Sequence, residues 1–284
     1  MALILEMVSF LLSLLSPKGL DRLARGITFI SWDVLRIRRK LILSNLETAF
    51  GNEKSGHERL KVAKLSVYHF VLTALEFLAE RDGNLGKKVN IVSGEEHLES
   101  TMKDGQGIYI LCIHMGSWEA MGGGLNRLGY PSHVIVKKVG SESTDRFVKK
   151  LRHKNGFQCI QRKTKGDAVK GIIKTLRSGQ IVGFVMDQAR PGEPFLPFFN
   201  RPAKTNTSFA AILRKIKAPV VPAYIVRKSV HEHEIHVLPP INLTFTDDAD
   251  RDILEHSGIF NSVVERMIRA CPEQYFWMHN RWKS

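Results

Sequence analysis

A histidine and a glutamate five residues apart are the side chains best suited to acid–base chemistry in this 284-residue sequence. His114 ends the apolar run 107–113, which has the composition of a buried strand. A small-residue turn, 115–117, follows, and Glu119 comes where a helix is predicted to begin. A carboxylate in that first helical turn can reach back to an imidazole nitrogen, fix the tautomer and raise the basicity of the other nitrogen. The spacing therefore predicts a His114–Glu119 pair acting as a general base.

The alternative for this pair is an ordinary structural histidine. A histidine with a glutamate five residues later is common by chance, so the spacing alone carries little weight. The position of His114 is stronger evidence than the spacing, because active sites of open α/β sheets lie beyond the carboxyl ends of their strands. The end of a buried strand, immediately before a small-residue turn, favours the catalytic interpretation of His114.

Polar residues also follow other predicted strands. Lys137 and Arg162 come at two strand ends, Asp187 and Gln188 at a third, and Arg152 lies in a basic helix. Any one basic residue is more often a solvated surface charge, but their recurrence after successive strands predicts a cationic cleft around His114. Asp187 could pair with Arg152, position a substrate hydroxyl or be a plain turn residue.

The segment 194–199 is rich in proline and phenylalanine. Such a segment suits the wall of a groove that holds an acyl chain, and it equally suits ordinary core packing. The sequence leaves both interpretations open.

Several familiar sites are excluded. The glycines 122–124 fit no dinucleotide-binding pattern and lie within a predicted helix. Ser117 lies in no nucleophile elbow, because Glu119 occupies the position of its last glycine. We find no metal-ligand motif, and we expect neither a metal nor an organic cofactor. The alternating His231, His233 and His236 are predicted to be solvated on a surface strand.

The composition indicates a basic protein of a reducing compartment. There are 42 Lys and Arg against 28 Asp and Glu, a formal net charge of +14. Such a surface favours polyanionic partners such as anionic lipid, nucleic acid or an acidic protein. The three cysteines are scattered and odd in number, which argues against a disulfide framework or a structural zinc.

The first 40 residues are predicted to associate with a membrane. The apolar stretch 1–16 is too short to cross a hydrocarbon core of about 30 Å. An amphipathic helix follows over 20–35 and ends in the basic run 36–40. This combination is typical of an interfacial anchor on an anionic leaflet, and the alternative is an ordinary pair of core-packing helices.

From residue 89 onward, short apolar runs alternate with amphipathic stretches. Strands are predicted at 89–92, 107–113, 133–137, 157–161, 180–186, 219–226 and 234–238. Helices are predicted at 94–103, 117–128, 143–155, 166–177, 206–216 and 249–270, after an earlier helix at 57–80. The alternation predicts an α/β fold with a mixed, mainly parallel central sheet flanked by helices, spanning residues 41–284 as one domain.

Four blocks in order carry a resemblance to a known family. His114-Met115-Gly116-Ser117-Trp118-Glu119 resembles the H-x-G-N-W-E form of the HX4(D/E) acyltransferase motif, with Ser117 in place of Asn. The other blocks are Asn45-Leu46 with Ala49-Phe50, then Asp187-Gln188 with Pro197-Phe198-Phe199 and Ala203-Lys204-Thr205, and finally the run 272–283. The sequence thus resembles the late lipid A biosynthesis acyltransferases of the lauroyl/myristoyl type, relatives of the glycerolipid acyltransferases.

The resemblance implies transfer of a fatty acyl group from acyl carrier protein, or from acyl-CoA, to a hydroxyl of a phosphorylated lipid A precursor. It implies a protein on the cytoplasmic face of a bacterial inner membrane, peripheral or held by a single N-terminal anchor. It carries functional roles to His114, Glu119, Arg152 and Asp187. Lys137 stands where many members have Arg and would supply charge without a bidentate fork.

Two alternatives remain from the sequence. One is an acyl-CoA-dependent acyltransferase acting on another glycolipid, such as a phosphatidylinositol mannoside. The other is a non-catalytic protein that binds anionic membranes through its positive charge. Nucleic-acid binding is not expected, because the chain has no recognition-helix motif and no basic strand interleaved with aromatic residues.

Overall fold

The predicted alternation forms a mixed sheet in the computed structural model, which describes residues 2–161, 165–189 and 191–282. Within those residues the sheet has seven strands, and a separate two-stranded hairpin lies beside it. The strands, with β6 and β7 forming the hairpin, are β1 Val89–Ser93, β2 Ile108–Cys112, β3 Ser132–Val136, β4 Gln158–Gln161, β5 Ile181–Val185, β6 Phe195–Phe198, β7 Arg201–Lys204, β8 Val220–Ser229 and β9 Glu232–Val237.

Helices cover both faces of this sheet. The described helices are α1 Ala2–Ser13, α2 Pro17–Thr28, α3 Arg39–Phe50, α4 Gly56–Ala79, α5 Glu95–Met102, α6 Trp118–Arg127, α7 Glu142–Lys154, α8 Lys165–Arg177, α9 Ser208–Lys215 and α10 Ala249–Ala270. A π-helical segment, Phe29–Val34, continues α2, and a short 3₁₀ turn, Pro272–Gln274, follows α10. The predicted mixed α/β fold with a mainly parallel sheet is confirmed.

The strand order explains where a site can form. It is β1-β9-β8-β2-β5-β3-β4, and β8, β2, β5, β3 and β4 run parallel to one another. The strand β9 is antiparallel to β8 and parallel to β1. Because β2 and β5 are parallel neighbours, with Cys112 paired to Val185, the residues that follow both strands meet at one edge.

The central strand β2 divides the core into two layers. All five of its residues are buried, and successive side chains point to opposite faces. Tyr109 and Leu111 belong to the larger cluster, which includes α10, and Ile110 and Cys112 belong to the cluster under α6. A strand apolar on both faces is what a central parallel strand requires.

Two elements differ from the sequence prediction. The predicted helix 20–35 is α2 plus the π-helical segment, and α3 begins inside the basic run after Arg36 and Arg38 adopt positive φ. The segment 194–199 enters the β6–β7 hairpin, whose turn residues Phe199 and Asn200 also have positive φ. Phe198 and Phe199 are buried in the larger core cluster, as the ordinary-packing alternative expects, whereas Phe195 is half exposed.

The predicted solvation of the β9 histidines was wrong for His233. Its side chain is fully buried and lies 3.9 Å from Glu76, a buried carboxylate of α4. The prediction took alternation as the sign of a solvated face. In the structure His233 lies on the buried face of β9 with Ile235 and Val237, whereas Glu234 and His236 lie on the other face and are partly exposed.

The N-terminal helices α1 and α2 pack against α4 through a small cluster that includes Leu12, Leu20, Leu72 and Leu75. Most of the exposed large apolar side chains of the described chain lie in this region and in the π-helical segment and turn that follow it. Among the described residues, α4 is the helix with the length and hydropathy to cross a membrane, and half of its apolar window is buried in the protein. That degree of burial is typical of a core helix.

Candidate active site

The site is built from the residues that follow β2 and β5. His114 Nδ1 lies 2.9 Å from Asp187 Oδ1, and Gln188 Nε2 lies 3.5 Å from the same nitrogen. The Asp187 side chain has no solvent exposure, whereas a quarter of the His114 side chain is exposed. The parallel pairing of β2 with β5 brings these two residues together across 73 positions of sequence.

The pair shifts both pKa values toward the charged forms. Burial alone would lower the pKa of His114, but the charge and hydrogen bond of Asp187 and the charge of Glu119 outweigh it and raise the pKa above 6.5. Burial of Asp187 favours its neutral form, yet the neighbouring imidazole holds the pKa of this carboxyl below 3.8. His114 therefore binds its proton more tightly than an isolated histidine does.

The expected hydrogen bond between Glu119 and His114 was wrong. Both oxygens of Glu119 accept hydrogen bonds from Arg152, at 2.9 Å from Nε and 2.6 Å from Nη2. A bidentate guanidinium saturates a carboxylate better than one imidazole N–H, and α7 brings Arg152 to the start of α6. The suggested pairing of Asp187 with Arg152 was wrong for the same reason, because each carboxylate has the other's expected partner.

A cavity of about 570 Å³ opens beside these residues. His114, Glu119, Arg152, Gln188 and Lys137 all line it. Apolar side chains make up another part of its lining: Ile110, Cys112, Met121, Leu125, Val134, Val136, Phe157, Ile181 and Val185. Arg162, the remaining predicted cleft residue, lies outside the described residues.

Aromatic rings pack around the His114 imidazole. Trp118 and Phe276 lie with ring centroids 5.3 and 6.1 Å from the His114 ring. Phe70 of α4 packs against both of these rings. An aromatic rim around a partly exposed imidazole presents an amphipathic surface suited to a ligand with apolar and polar parts.

The C-terminal segment supplies site residues that sequence reasoning missed. Burial and the charge of the nearby Asp187 carboxylate raise the pKa of Tyr275 well above 10. His279 Nε2 accepts a hydrogen bond of 3.0 Å from the backbone N–H of Ala189, two residues after Asp187. In the sequence this segment stood out only through its family resemblance, which was the one signal that could have identified Tyr275 and His279 as site residues.

Comparison with known proteins gives the family. The family model for bacterial lipid A biosynthesis acyltransferases matches residues 2–284. The chain belongs to this family. The blocks that carried the sequence resemblance come together in three dimensions. His114 bonds Asp187, the segment after α10 bonds the backbone of His114 and of Ala189, and Asn45 bonds the carbonyl of Trp277.

Individual relatives are similar at low identity. The lipid A biosynthesis lauroyltransferase of Escherichia coli (strain K12) is 26% identical over 274 residues, 93% of this chain and 85% of that protein. The lipid A biosynthesis palmitoleoyltransferase of the same organism is 24% identical over 197 residues, 68% of this chain and 61% of that protein. A lipid A biosynthesis acyltransferase of Haemophilus influenzae is 25% identical over 203 residues, 70% of this chain and 62% of that protein. The matches to the latter two thus span less than two thirds of their length.

Proposed function

We propose that this protein transfers a fatty acyl group from the thioester of acyl carrier protein to a hydroxyl of a phosphorylated lipid A precursor. The observation that carries the proposal is the partly exposed His114, hydrogen-bonded to a fully buried Asp187 beside an apolar cavity. Membership of the family supports the reaction class. The names of the similar acyltransferases support the kind of acceptor.

In the proposed mechanism His114 is the general base. The hydrogen bond to Asp187 uses Nδ1, so Nε2 is the nitrogen that takes the proton of the acceptor hydroxyl. The hydroxyl oxygen attacks the thioester carbonyl, the carbon–sulfur bond breaks, and the departing thiolate recovers the proton from the imidazolium. Asp187 orients the ring and stabilises its charged form, the role first assigned to Glu119.

The apolar and the charged parts of the cavity lining suit different parts of the substrates. Its volume of about 570 Å³ lies within the usual range for small-molecule sites. The apolar wall would take an acyl chain. Arg152, fixed by Glu119, and Lys137 line the polar end and would attract the anionic groups of the acceptor. Arg162 and Gln188 remain predicted contributors to acceptor binding.

We further propose that residues 1–40 dock the acyltransferase domain, 41–284, on the cytoplasmic face of the inner membrane. Leu3, Leu14, Phe29 and Leu35 are each more than half exposed, and the basic run 36–40 follows them. An apolar surface next to a basic cluster suits an anionic leaflet. Flotation with vesicles of phosphatidylglycerol should be strong and salt-sensitive, and equal binding to neutral phosphatidylcholine vesicles would contradict the docking.

The decisive experiment offers labelled acyl groups on acyl carrier protein and on CoA to the purified full chain. Each donor is combined with extracted lipid A precursor or with a phosphatidylinositol mannoside. The proposal expects transfer from the carrier protein to the lipid A precursor and at least a 10³-fold loss in His114→Ala. Transfer from CoA alone to the other glycolipid selects that alternative, and vesicle binding without turnover selects the non-catalytic one.

A further inference from the structure

A closed ring of buried hydrogen bonds lies behind the catalytic loop. Thr73 and Glu76 of α4, Arg227 of β8 and Gln274 of the 3₁₀ turn form it, and we call these four residues the clamp. Their exposed fractions are 1, 0, 5 and 8%. The clamp holds one peptide group, that of Gly116, two residues after His114.

The clamp grips both sides of Gly116. Thr73 Oγ1 lies 2.8 Å from the Gly116 carbonyl oxygen and 2.9 Å from that of His69, one turn earlier in α4, so its proton is shared between the two. The Gly116 N–H donates to the Gln274 carbonyl at 3.0 Å. Gly116 has a φ of +55°, and a Cβ there would collide with the carbonyl oxygen of Ile225. This peptide is therefore fixed in a conformation that favours glycine.

Arg227 closes the ring. Its Nη2 donates to Thr73 Oγ1 at 2.7 Å and to Glu76 Oε2 at 2.5 Å. The Gln274 side chain bonds the Arg227 backbone twice, accepting from its N–H at 2.7 Å and donating to its carbonyl at 2.9 Å. Because Arg227 donates to the Thr73 oxygen, the hydroxyl proton is directed to the two nearby carbonyl oxygens, those of Gly116 and His69.

Backbone hydrogen bonds connect the segment after Gln274 to His114. The Phe276 N–H donates to the His114 carbonyl at 3.0 Å, and Met115 pairs with Tyr275 as an isolated antiparallel bridge. The backbone on both sides of His114 is thus tied to groups that the clamp holds. A buried ion pair is weak support for stability compared with apolar packing, so its position beside this loop points to a role in geometry.

We propose that Thr73 is a positioning residue: through Gly116 it holds the His114 imidazole in register with Asp187. The proposal rests on the proposed function for its kinetic consequence, but its geometric consequence is independent of turnover. A displacement of the base by about 1 Å can cost on the order of 10²-fold in rate. Loss of the Thr73 hydroxyl should therefore slow the chemical step without removing any group that touches substrate.

The test compares Thr73→Val with Thr73→Ser in the full chain. Valine keeps the shape and removes the hydroxyl, so we expect kcat to fall about 10- to 100-fold with KM little changed. The downfield proton resonance of the His114–Asp187 hydrogen bond should broaden or shift in the same variant. Serine should restore both. Ser66→Ala is the matched control, because Ser66 is a buried hydroxyl of the same helix that bonds its own helix at Ala63.

The outcomes separate the two proposals. A folded Thr73→Val protein with unchanged kcat and an unchanged resonance would overturn the positioning role. So would equal kinetic losses in the Ser66→Ala control. If the valine variant does not fold, Thr73→Ala, which leaves room for a water, is measured with the same expected direction. An altered resonance in a chain with no acyl transfer would support the clamp while rejecting the proposed function.

Discussion

Two buried carboxylates, Asp187 and Glu76, differ in the kind of cationic side chain that pairs with them. Glu76 is paired with Arg227, and both side chains are almost completely sealed. Asp187 is equally buried, but its charged partner is a histidine that faces the cavity. One carboxylate has a permanent cation, and the other has a cation that exists only when an imidazole is protonated.

The pKa values of the neighbouring histidines differ accordingly. Burial and Arg227 lower the pKa of His69 to about 3, and burial lowers that of His233 to about 4 even though Glu76 is close. The pKa of His114 is raised by the charge and hydrogen bond of Asp187, whose ion pair among the described residues is with this histidine. A carboxylate whose ion pair is with a histidine strengthens the proton affinity of that imidazole, which is the property a general base needs.

The largest predicted effect is in Asp187→Asn. The charge that raises the His114 pKa disappears, so the pKa falls and the acidic limb of kcat/KM, where the base becomes protonated, should move to lower pH. The rate should also fall by about 10³-fold or more, since the amide no longer stabilises the imidazolium. A pH–rate profile of the variant against the parent measures both effects.

Asp252→Asn is the control for that experiment. Asp252 is a buried carboxylate of α10 that pairs with Arg214, and it lies outside the cavity lining. The control should lose stability and keep the position of the acidic limb. An unchanged acidic limb in Asp187→Asn would contradict the claim that the charge of Asp187 raises the pKa of His114.

The next effect concerns stability at the other carboxylate. Glu76→Gln leaves Arg227 buried without a counter-charge, and we expect the free energy of unfolding to fall by about 3–5 kcal/mol in urea denaturation. Replacing both residues by methionine removes the uncompensated charge and should recover most of that loss. Activity in the double variant should be lower than in the parent, because Thr73 has lost the hydrogen bond from Arg227. Full recovery of both properties would assign the clamp to folding alone.

The sequence predicted the sheet better than it predicted the partners within the site. Strand positions follow from local apolar runs, and His114 was found because a run such as 107–113 must end somewhere polar. The partner of His114 depends on which strand lies beside β2, and β5 is distant in sequence. Three clamp residues, Thr73, Glu76 and Arg227, were not found from the sequence because they carry no local signal, and Gln274 entered only as part of the resembling run 272–283. Arg227 and Glu76 meet across 151 positions.

The smallest predicted effect decides between the two carboxylates near His114. Glu119 also raises the His114 pKa, but its charge is shared with Arg152 through two hydrogen bonds. Glu119→Gln should therefore move the acidic limb of kcat/KM to lower pH by less than Asp187→Asn does.

Glu119→Gln should lower the rate by about 10-fold, through the loosened Arg152. A larger shift of the acidic limb in Glu119→Gln than in Asp187→Asn would restore the original His114–Glu119 pairing as the functional one. It would require the Glu119–Arg152 bond to open when substrate binds. The ratio of the two shifts is thus a direct measure of which carboxylate governs the base during turnover.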